Sequence, residues 1–104
     1  MKILGKEVEF NFEEAENIDK AVQLDKKYSQ EFKEARTLTE KCEIYKHFFD
    51  KLIGEGTSKK LFGDKNNFFA ITDAYQELIA EAEKVNAEII KRTNNMNKKY
   101  ERYK

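Results

Sequence analysis

The chain predicts a mainly α fold: a short N-terminal β-hairpin followed by a three-helix bundle-like domain with a long C-terminal helix. Three observations carry this expectation. Apolar residues recur at helical spacing over most of the 104 residues, and proline is absent. The first dozen residues alternate apolar and polar instead. Three of the four glycines fall within Gly54–Gly63, between two strongly helical stretches, so a helix must stop there, turn, form one short turn of helix and stop again. The expected layout is one domain, with residues 1–12 as hairpin, 13–90 as helical body and 91–104 as a basic, frayed or projecting tail.

In the hairpin, Val8, Phe10 and Phe12 alternate with Glu7, Glu9 and Asn11, which is strand periodicity. Gly5-Lys6 supplies a two-residue turn with glycine first. A lone hairpin is marginal in water, so these apolar residues should lie on the helices. The first helix is expected from Phe12 or Glu13 to Arg36, with Asn11 as its N-cap. Its apolar face is Ile18, Val22, Tyr28, Phe32 and Ala35, broken near Asp25. Thr37 and Glu40 have the spacing of a capping box, which opens a second helix over Leu38–Ile53. Its stripe is Leu38, Cys42, Tyr45, Phe49 and Leu52, widened by Ile44, Phe48 and Ile53. Gly54 ends it in the left-handed conformation.

Thr57 is placed to cap a one-turn helix over Ser58–Phe62, which Gly63 stops. Asn66 or Asn67 caps the last and longest helix, from Phe68 to at least Asn94. Phe68, Tyr75, Ala82, Ile89, Met96 and Tyr103 recur every seven residues, with Ile71, Leu78 and Val85 between them. The second row fails at Arg92 and Lys99, so packing should end near Ile90.

Charged residues make up 38% of the chain, a proportion that long helices accommodate on their outer faces. Thirteen Phe and Tyr in a periodic pattern argue against disorder. Formal net charge is zero, but residues 91–104 hold six Lys or Arg and one Glu, so the body is acidic and the tail basic. Cys42 is the one cysteine, which rules out an internal disulfide and fits a reducing cytosol; on the apolar stripe it reads as a small core residue. Neither a signal peptide nor an apolar run near the ~20 residues of a membrane span is evident.

No residue pattern supplies enzyme chemistry. His47 is the one histidine and has neither a nucleophile nor an orienting group at a recognisable spacing. One His and one Cys make no metal-ligand pattern, so neither metal nor cofactor is expected. Glu13-Glu14 and Glu81/Glu83 read as helix caps and solvated faces. The glycine loop lacks the Gly-Lys-Ser/Thr of a phosphate-binding loop and follows a helix. Thr57, Ser58, Lys59 and Lys60 could hold an anion, but a helix stop and cap explains them more simply. Lys91, Arg92, Lys98, Lys99 and Arg102 form a candidate basic contact. With the interleaved tyrosines they could follow a nucleic-acid backbone, although a helix end or a protein contact is the favoured reading.

The stretch Phe48-Phe49-Asp50-Lys51-Leu52-Ile53-Gly54-Glu55-Gly56-Thr57-Ser58-Lys59-Lys60-Leu61-Phe62-Gly63 resembles an uncharacterised family of small phage and prophage proteins of Gram-positive bacteria. The layout resembles that family over most of the length; residues 48–67 carry the specific identity. Members look like proteins of the tail-morphogenesis region, similar to tail assembly chaperones. The resemblance implies a protein in the cytoplasm of the infected bacterial host that keeps an apolar tape-measure protein soluble. An apolar groove between the second and last helices would receive amphipathic helices of that partner. Phe48, Phe49, Leu61, Phe62 and Tyr75, with Gly54 and Gly56 shaping the loop, are the candidate interface; the alternative is that these aromatics are core. A second reading is a phage protein that binds a host defence protein, as inhibitor or sensed trigger. Self-association through the heptad of the last helix is also open.

Overall fold

A computed structural model describes the backbone of residues 1–102 and the side chains of residues 1–98. It shows a two-stranded antiparallel hairpin, β1 (Lys2–Ile3) and β2 (Lys6–Glu7), followed by α1 (Ala15–Glu34), α2 (Leu38–Leu52), the short α3 (Thr57–Phe62) and the long α4 (Phe68–Arg102). The mainly helical class with an N-terminal hairpin is therefore as expected. At about 1.5 Å per residue α4 alone is ~52 Å long. The molecule measures 58 × 30 × 21 Å and its radius of gyration is 16.6 Å, against ~13 Å for a compact domain of this length. Much of α4 therefore extends beyond the packed body.

The hairpin differs from expectation by one residue. Lys2 pairs with Glu7 and Ile3 with Lys6, so the turn is Leu4-Gly5 and not Gly5-Lys6. Both turn residues have positive φ, 52° and 75°, the backbone of a tight hairpin turn that matches strand twist. Leu4 tolerates this because the register sends Ile3, fully buried, into the core, and a one-residue slip would reverse the faces. Pairing stops at Glu7. The Phe10 amide donates to the Val8 carbonyl (3.1 Å), a three-residue turn that ends the extended run. Val8 and Phe12 are buried and Phe10 partly so. The alternation thus marks which side chains face inward but not a longer strand.

Helix α1 begins three residues later than a cap at Asn11 requires. The Asn11 Oδ1 accepts from the Glu13 amide (2.9 Å), and its carbonyl accepts from Asn17 Nδ2 (2.9 Å), which builds a separate turn ahead of the helix. Glu14 occupies the cap position without a side-chain cap bond, and Ala35 is already extended. The inward positions are Ile18, Ala21, Leu24 and Tyr28. Val22, expected on this face, lies one position off it and is exposed.

Thr37 caps α2 as its spacing implies: its Oγ1 accepts from the Glu40 amide (3.1 Å). Glu40 reaches back to the Arg36 amide (3.0 Å), one residue ahead of the usual capping-box target. Leu38 is exposed, contrary to its place on the predicted stripe. It precedes by one turn Cys42, the first α2 residue that meets the α4 approach, where the thiol donates to the Asn66 carbonyl (3.8 Å). Burial pushes the Cys42 thiol pKa up, so it stays protonated as a core residue does. Helix α2 is the centre of the molecule, packed on α1, α3 and α4. Its buried Phe48, Phe49 and Leu52 meet Ala74 and Leu78 of α4 in one core.

Asn67 caps α4, with Oδ1 accepting from the Ala70 amide (3.1 Å). Ile71, Ala74 and Leu78 are buried, and Tyr75, Ala82 and Val85 partly so. Ile89, Ile90 and Met96 are exposed, so packing ends at Val85, about one turn before the expected Ile90. The cause is the late start of α1. Asp25 meets Tyr75, Ala21 shares a groove with Ala82, and Glu13 lies near Glu88 and Arg92. The two helices are thus antiparallel, and α1 has no residues left to cover α4 beyond its fifth turn.

Candidate functional site

Three helices, α1, α2 and α4, meet around a cavity of about 170 Å³. Its wall is a succession of aromatic rings. Tyr28 and Phe32 come from α1 at a spacing of four, which puts them on one helix face. Tyr45 and Phe48 come from α2 at a spacing of three, and Tyr75 comes from α4. Neighbouring ring centroids are 4.9 Å apart for Phe32–Tyr45, 5.0 Å for Tyr45–Tyr75, 5.7 Å for Tyr75–Phe48 and 6.1 Å for Phe48–Tyr28. Interplanar angles run from 53° to 89°, tilted and edge-on arrangements that suit the ring quadrupoles. The exposed residues Asp25, Ser29 and Lys33 form its mouth.

One carboxylate gives this apolar cavity a polar end. The Tyr75 hydroxyl donates to Asp25 Oδ1 (2.8 Å). Burial, and then that hydrogen bond, hold the Tyr75 phenol well above its ordinary range. Burial and the charge of Asp25 raise Tyr45 as well. Both phenols are neutral at physiological pH, so the cavity offers apolar contact, ring edges and an acceptor carboxylate. Lys41 lies over the Phe32 ring at 4.9 Å and Lys27 over Tyr28 at 5.3 Å, which adds cations at the outer ring faces.

The glycine-rich loop is held from two sides. Gly54 and Gly56 have φ of 144° and 89°, values that L side chains rarely adopt, although a Cβ at either would meet nothing within 4 Å. Thr57 does not cap α3, as its position suggested. It is the first helical residue, and its hydroxyl donates to the Gly54 carbonyl (2.7 Å). The cap comes from α2 instead: Asp50 Oδ1 accepts from the Ser58 amide and Oδ2 from the Ser58 hydroxyl, both at 2.8 Å. On the other side Lys6 Nζ donates to the carbonyls of Lys60 (2.9 Å) and Leu61 (3.3 Å), where the helix end favours a cation. Lys60 Nζ donates in return to the Glu7 carbonyl. Two lysines thus exchange bonds across the hairpin and α3.

The sequence-derived interface residues divide between these places. Phe48 and Tyr75 line the cavity. Phe49 and Leu61 are buried elsewhere in the core, and Phe62 packs on Phe49 with ring centroids 5.6 Å apart. Phe48, at 4% exposure, reaches the cavity from within the core. Lys91, Arg92 and Lys98 are exposed on α4, with Arg92 Nε 3.0 Å from Glu88; the side chains of Lys99 and Arg102 lie outside the described residues. His47 is exposed on α2. Among the described residues no group of three His, Cys, Asp or Glu side chains is placed to hold a metal ion. No helix there is long and apolar enough to cross a membrane. Asp25, Tyr28, Phe32 and Tyr45 did not stand out as site residues. The available signal was the carboxylate that interrupts the α1 stripe one turn before Tyr28.

Residues 4–104 match the model of a family of unknown function (DUF6673), and the chain belongs to that family. No curated protein and no solved structure matches it.

Proposed function

We propose that the chain is a non-enzymatic, protein-binding member of a phage tail-assembly system, a chaperone for the tape-measure protein in the host cytoplasm. The observation that supports this reading is the ring of five aromatic side chains round the cavity between α1, α2 and α4. At about 170 Å³ the cavity is smaller than the ~300–1,000 Å³ typical of small-molecule sites. It suits one large apolar side chain of a partner, and such aromatic-lined, desolvated pockets are where interfaces concentrate their affinity. An amphipathic helix laid across the mouth would insert one apolar residue. A cation one turn along could then meet Asp25, which has no ion pair among the described residues. The tape measure as partner rests on the resemblance of residues 48–67 to proteins of the tail region.

The test is co-expression of a tape-measure protein from a related phage with the wild-type chain and with Tyr45→Asp. The wild type is expected to keep the tape measure soluble and to co-purify with it. Tyr45→Asp, which puts a charge at the cavity wall, is expected to lose both while its helical circular dichroism persists. A folded Tyr45→Asp that retains the partner would overturn the site. A tape measure that never binds the wild type would overturn the partner, and recovery of a host defence protein from infected cells would put the second reading in its place.

A further inference from the structure

The apolar stripe that packs α4 into the body does not stop where the body stops. Ile71, Ala74 and Leu78 are covered by the chain's own helices, and Ala82 and Val85 only partly so. Ile89 and Met96 continue the same side of the helix, yet are 40% and 57% exposed; Ile90, 52% exposed, lies about 100° round from Ile89, beside that row. Beside them, between α1 and α4, runs a groove lined by Phe12, Ile18, Ala21, Val22, Ile79 and Ala82, with Glu83 and Asn86 at its edge. Val22, the residue that misses the α1 core face, is exposed at this groove.

Charge is segregated along the same helix. Residues 68–90 hold Asp73, Glu77, Glu81, Glu83 and Glu88 against Lys84 alone. Residues 91–102 hold Lys91, Arg92, Lys98, Lys99 and Arg102 against Glu101 alone. Near the groove the start of α1 adds Glu13, Glu14, Glu16 and Asp19. A helix with an acidic first part and a basic last part repels a parallel copy in register. It also repels a copy that overlaps only the last parts. The arrangement that matches charge at both ends is antiparallel, with each basic part on the partner's acidic part.

We infer that the chain forms a two-fold symmetric dimer through antiparallel α4 helices that cross near Ile89 and Ile90. In that register Met96 of each copy lies opposite Ala82 of the other. The long side chain enters the groove where the small one leaves room. Lys91, Arg92 and Lys98 of each copy then face the other's acidic region, which includes Glu81, Glu83 and Asp19. The contact is isologous, so it closes at two copies and does not propagate. It covers the exposed apolar row and leaves the aromatic cavity near Tyr75 outside the contact.

The experiment is sedimentation velocity and light scattering on the full chain across protein concentration, at low and high salt. The expected species at low salt has twice the 12.3 kDa monomer mass, and its dissociation constant should rise with salt because exposed charge pairs are screened. Met96→Asp and Ile90→Asp should be monomeric with unchanged circular dichroism, since neither residue belongs to the core. A second pair of variants tests the charge pairing. Lys91→Glu with Arg92→Glu should not self-associate, nor should Glu81→Lys with Glu83→Lys, but the two proteins mixed should form a heterodimer. A monomer at all concentrations, a dimer that survives Met96→Asp and Ile90→Asp, or charge-reversed variants that do not complement each other would each overturn the proposal.

Discussion

Replacement of Asp50 by alanine tests whether the corner between α2 and α3 depends on one carboxylate. Asp50 accepts two hydrogen bonds from Ser58, one from the amide and one from the hydroxyl, each 2.8 Å and partly buried. Loss of a helix cap costs about 0.5–2 kcal/mol. A hydrogen bond to a charged group contributes about 1.5–3 kcal/mol, toward the low end where water has access. The two estimates overlap for this residue, so Asp50→Ala is expected to lose about 1.5–2 kcal/mol. Asp50→Asn keeps an acceptor for the amide and a donor for the hydroxyl, and should lose only about 1 kcal/mol. Ser58→Ala removes the hydroxyl but keeps the amide bond, again at about 1 kcal/mol. The assay is urea and thermal denaturation followed by helical circular dichroism. A loss of ~2 kcal/mol would lower the midpoint by roughly 8–12 °C for a domain of this size. The double variant should then be less destabilised than the sum of the singles by about 1 kcal/mol. Additive effects, or a loss under about 0.5 kcal/mol for Asp50→Ala, would refute the argument that this carboxylate holds α3 in place.

Two further outcomes follow from burial and from titration. Phe49→Ala, at a fully buried position in the core, is expected to lose about 3–5 kcal/mol, whereas Phe69→Ala, at 79% exposure, should stay within ~0.5 kcal/mol in the same melts. At high pH the native state keeps a proton on Tyr75 that the unfolded chain releases, because the folded phenol titrates above the ordinary value of 10.0. Stability should therefore be level below about pH 10 and fall as pH rises beyond it. Tyr45, raised in the same direction, adds to that fall. Tyr75→Phe should flatten part of the slope in denaturation series above pH 9, and an unchanged slope would show that the phenol is not held by its surroundings.

Helix number, order and approximate limits were legible because their signals are local. Thr37 and Glu40 announce the start of α2, Asn67 that of α4, and Gly54 and Gly63 the stops, each through backbone groups within a few residues. Errors arose where a neighbour distant in sequence decides the outcome. The turn at Leu4-Gly5 depends on how Ile3 and Lys6 meet α3 and α4, not on which dipeptide best favours a turn. The cap of α3 came from Asp50, on another helix, while the nearer Thr57 bonded backward to Gly54. Val22 is exposed because it lies one position off the inward face of α1, and Leu38 because it precedes by one turn the first contact of α2 with the α4 approach. The cavity was illegible for the same reason. Its rings come from three helices, and no spacing within one helix brings Tyr75 between Tyr45 and Phe48. Phe48 and Tyr75 were singled out, but as members of a groove with Phe49, Leu61 and Phe62, which the packing assigns to the interior and the α3 corner.

The lysine exchange between hairpin and α3 bears on how the chain folds as the ribosome makes it. Residues 1–12 emerge first, yet their partners come much later. Leu4 donates its amide to Glu77, and Lys6 and Lys60 bond across more than fifty residues. Helices α1 and α2 can pair as soon as both have left the exit tunnel. Ile3, Val8 and Phe12 must wait for α3 and for the first turns of α4. Until then these apolar residues are uncovered, and the hairpin closes over a helical pair already formed. That order places the slow, long-range step after the first turns of α4 have been made, when the helices around the hairpin are already set and less of the chain is left to search.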